Sequence, residues 1–585
     1  MTRTLQESKR RMIVAALVVA VAVGAFAFRA PRLEQRPMHT DEAVHAVKAG
    51  ILLETGVYTY DPLEYHGPTI YYAALPFIWA SGARTLAQTS EWQFRIVPVV
   101  FGVGLVLLLL LVIDGLGPWE AVCAAILSAV SPAMVFYSRY YIQEMPFVFF
   151  TFCAIAAGWR YGHSKRVGWA LLCGLALGLM LATKETAVIA YGAMAAALVL
   201  TALWVRWRDG EAAPIRENFR PWHVAAAALL GLVACVTVIS GFFTTPRGAV
   251  DIFLTFLNYL HRAGGVGIHD HPWDYYFRIL LGLDGGQGPR WNEKLIVVMA
   301  VVGVLVALSS KRVSKCEDAS SKSPPLKASF PPSPPLKGDL GGCTHPMLDE
   351  CAGELHPPES PFKGGLPLSQ GRDLNLVRFI AIYTLLLSAA YAAIPYKTPW
   401  CMLGFLHGLI LLSGVGFIGL VRFVRHNGLR LLFVLAMAFA TFRLADLAYQ
   451  ASFVFYADTR NPYVYGHTST DMLRLVQRIE DIARLAPDGR NTLIKVFVPD
   501  SWPLPWYLRA YTRVGYWPAV IDDADAPIVV TSQEFQPEVE RRLRDTYQSE
   551  YYGQRPEVLM TVFIRKDLWD AFIKTRTVKE SQDGR

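Results

Sequence analysis

Charged side chains are scarce in this sequence. Asp, Glu, Lys and Arg make up 18% of its 585 residues, whereas hydrophobic residues make up 53%. This balance excludes an ordinary soluble globular protein, in which about a quarter of the residues are charged. Many apolar runs approach the roughly 20 residues that a helix needs to cross a bilayer. The composition therefore predicts a polytopic α-helical membrane protein whose first partner is the lipid bilayer.

The sequence also lacks regularly spaced cysteines. Of its eight cysteines, five lie in apolar runs, where a thiol behaves as a small hydrophobe, and three lie in one low-complexity stretch. No disulfide framework is predicted. The formal net charge is +8, but the basic residues stand at the ends of apolar runs. That placement favours a topology signal over a nucleic-acid-binding patch, so no nucleic-acid partner is expected.

The basic residues predict the orientation of the chain. Arg3, Lys9, Arg10 and Arg11 precede the first apolar run, so the positive-inside rule places the N-terminus in the cytoplasm. Basic loops then alternate along the chain, and the alternation predicts about 11 transmembrane helices in the cell membrane. The predicted spans are 12–28, 96–113, 119–136, 146–159, a run ending near 182, a run beginning after 186, 223–243, 294–308, 376–394, a run ending before 422, and 429–447.

The membrane part is predicted to be interrupted once. Residues 1–310 form an N-terminal transmembrane module, and residues 374–447 add the last transmembrane helices. Residues 311–373, between them, are rich in Pro, Ser and Gly and contain near-repeats of Ser-Pro-Pro-Leu-Lys. Such a composition cannot bury a core, so this segment is predicted to be a disordered cytoplasmic insertion.

Residues 448–585 have the composition of a water-soluble domain. Apolar residues recur at helical spacing over 471–485, and short apolar runs at 493–498, 527–531 and 558–564 are typical of strands. The pattern predicts a small α/β domain. An odd number of spans places this domain outside the cytoplasm.

Asp41 and Glu42 are the most unusual polar residues, because they are adjacent carboxylates just beyond the first apolar run. A carboxylate pair at a membrane boundary is costly unless it is solvated, paired or used. Sugar transfer from a lipid phosphate needs a base for the acceptor and cations for the departing phosphate. Other polar candidates fall on the same predicted outer side, namely His45, His66, Arg139, Glu144, Lys184, Glu185, Lys397 and His269-Asp270-His271. The set predicts a membrane-embedded sugar transferase.

Most of these residues also have a structural interpretation. Asp41 and Glu42 are favourable in the first turn of a helix, where the backbone dipole attracts acids. Arg139 and Glu144 could form a structural ion pair. Lys184-Glu185 could be a turn from which the lysine extends to the membrane interface.

The sequence His269-Asp270-His271 has a spacing that could bind a metal, but a solvated loop gives the same spacing. Aromatic residues near Tyr71 could stack on a sugar or form an ordinary interfacial belt. The residues alone leave both alternatives open.

The order of the motifs resembles the large lipid-phosphate-sugar glycosyltransferases of the C-type fold, such as protein O-mannosyltransferases and the lipid A aminoarabinose transferase. Within this group it is most similar to a prokaryotic subfamily labelled flippase-activity-associated proteins. The resemblance covers most of residues 12–310 and 374–530. The similar stretches are His39-Thr40-Asp41-Glu42-Ala43, His66-Gly67-Pro68-Thr69-Ile70-Tyr71-Tyr72, Arg139-x4-Glu144, Ala182-Thr183-Lys184-Glu185 and Pro395-Tyr396-Lys397-Thr398-Pro399-Trp400.

The resemblance implies an inverting transferase that moves a sugar from a polyprenyl-phosphate donor to a lipid, glycan or protein acceptor outside the cytoplasm. It implies that Asp41 is the general base, that Glu42 binds the acceptor or a divalent cation such as Mg²⁺ or Mn²⁺, and that Glu144 assists. The implied phosphate-binding residues are His66, Arg139, Lys184 and Lys397; the supporting residues are His45, Glu185 and Tyr71; the candidate metal ligands are Asp41, Glu42, His269 and His271.

One difference from the aminoarabinose-type enzymes affects this assignment. Those enzymes have a lysine just before the Pro-x-x-Tyr-Tyr segment, where this chain has His66-Gly67.

The subfamily label also raises an alternative function, a non-enzymatic accessory of a flippase for lipid-linked oligosaccharide. A solute transporter is a third candidate, but the sequence shows no inverted repeat of broken helices to favour it.

Overall fold

The computed structural model describes residues 2–62, 66–210, 219–263, 269–283, 289–310 and 372–583. The predicted insertion 311–373 thus lies outside the described residues, except for Arg372 and Asp373. The helices are α1 Thr2–Arg29, α2 Thr40–Thr55, α3 Thr69–Ala80, α4 Glu91–Leu108, α5 Ile113–Leu116, α6 Pro118–Val130, α7 Pro132–Tyr137, α8 Glu144–Ser164, α9 Val167–Thr183, α10 Ala187–Asp209, α11 Pro221–Ile239, α12 Gly248–Ala263, α13 Tyr275–Leu281, α14 Lys294–Ser309, α15 Leu374–Ala393, α16 Leu403–Phe423, α17 Asn427–Tyr449, α18 Asp471–Leu485, α19 Leu504–Tyr507, α20 Gln536–Leu543 and α21 Lys566–Asp583. The strands are β1 Ile494–Phe497, β2 Val514–Trp517, β3 Ile528–Ser532, β4 Tyr547–Arg555 and β5 Val558–Arg565.

Every predicted span falls on a helix of the structure. The spans correspond to α1, α4, the pair α6 and α7, α8 to α11, and α14 to α17. In the described ranges, seven helices are long and apolar enough to cross a membrane. The prediction of a polytopic membrane protein is therefore confirmed, while the number of 11 spans stays a prediction.

Buried ion pairs join the loops that are predicted to be cytoplasmic. Glu120, near the start of α6, is fully buried and lies 2.7 Å from Arg372 and 3.0 Å from Arg422. Arg378 in α15 pairs at 2.5 Å with Asp209, the last residue of α10. These contacts bring helix ends that are far apart in the sequence to one end of the bundle, as the alternating basic loops predict.

Glycines allow α14 and α16 to pack with their backbones in close approach. A Cβ atom on Gly303 would overlap the carbonyl oxygen of Leu412, and a Cβ atom on Gly416 would overlap that of Met299. In lipid, small residues promote helix association because they permit this close van der Waals packing. The contacts fix the spacing of two helices that carry outer loops of the candidate site.

Alanine at position 303 is expected to lower the stability of the protein by about 1–3 kcal/mol, because its methyl group must push α14 away from α16. Gly192→Ala in α10 is a matched control, since a Cβ atom there meets nothing within 4 Å. Thermal unfolding of the detergent-solubilised protein measures the stability of both variants. Equal stability of the two variants would contradict the close packing of α14 on α16.

The C-terminal domain is built on one five-stranded sheet with the order β2-β1-β3-β5-β4. Strand β1 pairs in parallel with β2 and β3, and β5 pairs antiparallel with β3 and β4. The apolar face of α18 packs on this sheet, with Leu475 and Ile479 in the same core as Val496 and Val530. The predicted small α/β domain is therefore confirmed.

Three hydrogen bonds dock this domain beside the acidic pair. The backbone N–H of Met38 donates to the hydroxyl of Tyr507 at 2.7 Å, and the hydroxyl of Thr468 donates to the carbonyl of Met38 at 2.6 Å. Trp506 Nε1 donates to a carboxylate oxygen of Glu91 at 3.1 Å. The domain thus adjoins the segment that leads into Asp41.

Candidate functional site

Helix α2 begins with a capping box that includes one of the two acids. The ring Nδ1 of His39, the N-cap residue, accepts the backbone N–H of Asp41 at 3.0 Å. In return, a carboxylate oxygen of Glu42 accepts the backbone N–H of His39 at 3.2 Å. These bonds satisfy donors that a helix start leaves unpaired, and the dipole favours acids there. Glu42 therefore caps the start of α2 with one of its carboxylate oxygens, as the structural interpretation of the acidic pair predicts.

Glu42 is fully buried between two arginines. Its carboxylate lies 2.9 Å from Arg36 and 2.8 Å from Arg95, and it also accepts the backbone N–H of Tyr141 at 2.9 Å. Burial raises the pKa of Glu42, but the two guanidinium charges outweigh it and hold the pKa at about 2. Glu42 is an ionised counter-ion whose oxygens are already occupied.

Asp41 has the opposite environment, although it is the adjacent residue. Its side chain is 38% exposed, against 0% for Glu42. Among the described residues, its nearest ionisable partner is His39, whose Nδ1 lies 3.9 Å from a carboxylate oxygen of Asp41 and already accepts a backbone N–H. Asp41 therefore presents the accessible carboxylate of the pair.

Glu144 and Lys184 meet at the wall of a cavity. Glu144 is the first residue of α8, Lys184 follows the last residue of α9, and the two buried side chains form an ion pair. The Arg139–Glu144 pair that the sequence suggested is not formed between these residues. The cavity has apolar walls that include Phe147, Leu387 and Leu403. It is referred to below as the Lys184 cavity.

His66 and Glu185 come together as a second polar cluster. His66 Nδ1 lies 2.9 Å from one carboxylate oxygen of Glu185, and the hydroxyl of Tyr60 donates to the other at 2.8 Å. Nearby, His45 Nδ1 lies 2.9 Å from the hydroxyl of Tyr71. All four predicted residues are thus engaged in hydrogen bonds that hold α2, α3 and the turn after α9 together.

Arg139 does not line the Lys184 cavity. Its guanidinium donates to the carbonyl oxygens of Pro31 at 2.7 Å and Arg32 at 3.0 Å, and to that of Arg29. It also stacks over the ring of Phe453 at 4.2 Å from the centroid. In this arrangement Arg139 ties the segment after α1 to the end of α17.

His269 and His271 bind the same tyrosine hydroxyl. His269 Nδ1 lies 2.7 Å and His271 Nε2 lies 3.1 Å from the hydroxyl oxygen of Tyr465. Lys397 is 1% exposed, and its amino group donates to the carbonyls of His271, at 3.0 Å, and Ile394. Lys397 therefore links the loop that contains His271 to the loop that follows α15.

The four predicted metal ligands do not form a ligand set. Glu42 is enclosed by Arg36 and Arg95, whose charges repel a cation, and His269 and His271 share a hydroxyl partner. Within the described ranges, no group of three His, Cys, Asp or Glu side chains has a metal-binding arrangement. The use of a divalent cation stays a prediction.

The residues that surround the acidic pair were not among the predicted site residues. Arg36 and Arg95 hold Glu42, while Tyr465 accepts from His39 Nε2 through its carbonyl oxygen at 3.1 Å. Because His39 Nδ1 accepts the Asp41 N–H, Nε2 carries the ring proton. Arg95 did carry a signal, because it directly precedes the predicted span 96–113, and a charged residue at a membrane boundary is costly unless it is paired or solvated.

A family model described as dolichyl-phosphate-mannose-protein mannosyltransferase matches residues 70–249. The matched range contains Tyr71, Arg139, Glu144 and Lys184, whereas the acidic pair precedes it.

Two solved structures have the same overall fold. ArnT from Cupriavidus metallidurans bound to undecaprenyl phosphate is 14% identical, with a TM-score of 0.55 over 94% of this chain and 97% of that one. The oligosaccharyltransferase AglB from Archaeoglobus fulgidus, in complex with an inhibitory peptide and a dolichol-phosphate, is 11% identical, with a TM-score of 0.50 over 92% and 72%. The chain therefore shares its fold with ArnT and AglB, which confirms the fold that the resemblance implies, while the subfamily stays a prediction.

Among curated proteins, the chain is 33% identical over 66 residues to a putative endogenous retrovirus group FC1 Env polyprotein from Gorilla gorilla gorilla. The match spans 11% of this chain and only 36% of that protein. It supports no functional conclusion.

Proposed function

We propose that the protein transfers a sugar from a polyprenyl-phosphate donor to an acceptor on the extracytoplasmic side of the membrane. The observation that carries the proposal is the contrast within the acidic pair. The carboxylate of Glu42 forms ion pairs with two arginines, whereas the carboxylate of Asp41 is accessible to an acceptor. The family match, the fold and the lipid phosphates bound by ArnT and AglB support the same assignment.

In this proposal Asp41 is the general base. Its carboxylate takes the proton of an acceptor hydroxyl while the hydroxyl oxygen bonds to the anomeric carbon of the donor sugar. The bond from that carbon to the phosphate oxygen breaks, and the lipid phosphate leaves with the electron pair. Attack opposite the leaving group inverts the anomeric configuration. The docked α/β domain adjoins Met38 and is therefore positioned to contact the acceptor.

The Lys184 cavity has the chemistry of a lipid-phosphate site. Phe147, Leu387 and Leu403 supply apolar walls, and Lys184 supplies the one positive charge among its described lining residues. An isoprenoid chain suits the walls, and a phosphate suits a buried ammonium group. Glu144 pairs with Lys184 and keeps this lysine charged until the phosphate binds.

The proposal is tested with purified protein in liposomes that contain a polyprenyl-phosphate-linked radiolabelled sugar. Transfer of label to an acceptor, with inversion detected by NMR of the product, is the expected result. A protein that transfers no sugar, yet is required for lipid-linked oligosaccharide to cross the vesicle membrane, would instead be a flippase accessory. That result would contradict the proposed enzyme.

Methionine in place of Lys184 is expected to lower kcat/KM for the lipid donor about 100-fold, because the departing phosphate loses its cation. Lys397→Met is the matched control: the same lysine-to-methionine change removes an amino group that is bound to backbone carbonyls. It is expected to alter thermal stability while leaving kcat/KM of the folded protein nearly unchanged. The reverse pattern would move the phosphate site from Lys184 to Lys397.

A further inference from the structure

A second cavity shares no lining residue with the Lys184 cavity. Four arginines contribute to its wall, namely Arg32, Arg36, Arg95 and Arg139, together with Ser452 from the helical turn Gln450–Val454 that follows α17. It is called the arginine cavity here. Three of these arginines are buried, and buried charges are stable only when they are compensated.

The positive charge in this cavity exceeds the negative charge around it. Among the described residues, the ion pairs of these arginines are those of Arg36 and Arg95, and both go to Glu42. The other hydrogen bonds of Arg95 and Arg139 go mostly to backbone carbonyls within 29–37. Carbonyl oxygens satisfy donors but neutralise no formal charge. Among the described residues, the single carboxylate of Glu42 therefore offsets only part of the positive charge of these guanidinium groups.

Arg139 shows the imbalance most clearly. Burial, and then the charges of Arg36, Arg95 and Arg29, lower the pKa of Arg139 to about 9, and no carboxylate acts in the opposite direction. A guanidinium group keeps its proton at neutral pH. The charge of Arg139 is thus present and lacks a counter-ion within the described chain.

Three buried side-chain atoms of the cavity have no partner within the described part of the chain. Two are donors, Nε of Arg36, a residue 7% exposed, and the hydroxyl of Ser452, a residue 5% exposed; the third is an acceptor, Oε1 of Gln35. An N–H and an O–H left unpaired in a buried site cost free energy, and an acceptor that binds between them recovers it. A negatively charged acceptor also supplies the missing charge.

We propose that the arginine cavity binds a phosphate-type oxyanion through Arg36 Nε and Ser452 Oγ, with Arg139 contributing charge. Charge-assisted hydrogen bonds of guanidinium to phosphate oxygens are among the strongest that proteins make. The anion is either inorganic phosphate or the phosphate of a lipid head group, which have the same donor requirements. This site is independent of the proposed sugar transfer, because binding requires no reaction at Asp41.

The decisive test is to place a carboxylate in the cavity. Ser452→Asp is expected to melt at a temperature about 2 °C or more above that of Ser452→Asn, because the aspartate supplies the missing negative charge. At a buried site without excess positive charge, the aspartate would instead lower stability. A Ser452→Asp variant that is less stable than Ser452→Asn, or that fails to fold when the asparagine variant folds, overturns the proposal.

Ligand addition to the full-length protein identifies the source of the anion. Inorganic phosphate that raises the melting temperature of the wild type, but not that of Ser452→Asp, identifies a free oxyanion. Polyprenyl phosphate also fits the Lys184 cavity, so the lipid is added to Lys184→Met; stabilisation of this variant that is lost when Ser452→Asp is combined with it identifies a lipid head group. Stabilisation of Lys184→Met and of the double variant to the same extent places the anion elsewhere and rejects the arginine cavity as its site.

Discussion

Asparagine at position 41 is expected to lower the rate of sugar transfer about 10²- to 10⁴-fold, the usual contribution of a general base. The amide has nearly the same shape as the carboxylate but cannot take a proton from the acceptor. The Asp41 side chain is 38% exposed and its carboxylate lies 3.9 Å from the ring of His39, so the substitution removes little structure. Release of labelled polyprenyl phosphate and formation of labelled product measure the rate.

Asp41→Glu and thermal unfolding serve as controls for this result. The glutamate variant keeps a base but moves it, so an activity between that of wild type and Asp41→Asn is expected. Loss of the favourable charge near the start of α2 costs only about 0.3–1 kcal/mol, so Asp41→Asn should remain folded. A folded Asp41→Asn protein that transfers sugar at the wild-type rate would exclude Asp41 as the base.

The membrane part was predictable because its signals are local. Apolar length and flanking basic residues identify each span without knowledge of its neighbours. The same holds for α18, whose bounds Asp471–Leu485 follow the helical spacing of its apolar residues. Strands β2 and β4 were missed because they are the two edges of the sheet. Their sequences, Val-Gly-Tyr-Trp and the polar run 547–555, depend on pairing with inner strands rather than on an apolar pattern of their own.

The partners within the site could not be predicted, because they are separated in sequence and set by tertiary packing. Arg139 and Glu144 are close in sequence, but α8 begins at Glu144, so Arg139 turns to the segment after α1 while Glu144 turns to Lys184. Likewise, Arg95 lies 53 residues after Glu42. Sequence reasoning predicts these residues on one side of the membrane, yet it could not distinguish the accessible acid from the buried one.

Glutamine at position 42 is expected to destabilise the protein by about 3–5 kcal/mol, because it leaves Arg36 and Arg95 buried without a counter-ion. The pKa of Glu42 is lowered in the folded state, so its stabilising effect is present above pH 4.5, its ordinary pKa, and declines as the pH falls toward 2. Chemical unfolding in detergent at neutral pH measures the loss.

A double-mutant cycle separates charge compensation from shape. Adding Arg36→Gln to Glu42→Gln removes one of the two orphaned charges, so the double variant is expected to lose less stability than the sum of the single losses. Asp41→Asn supplies the matched carboxylate-to-amide change one residue away, where no arginine is bound. If Glu42→Gln were as stable as Asp41→Asn, the arginines would not need this carboxylate. Glu42 would then be available for the acceptor, and the division of roles within the acidic pair would fail.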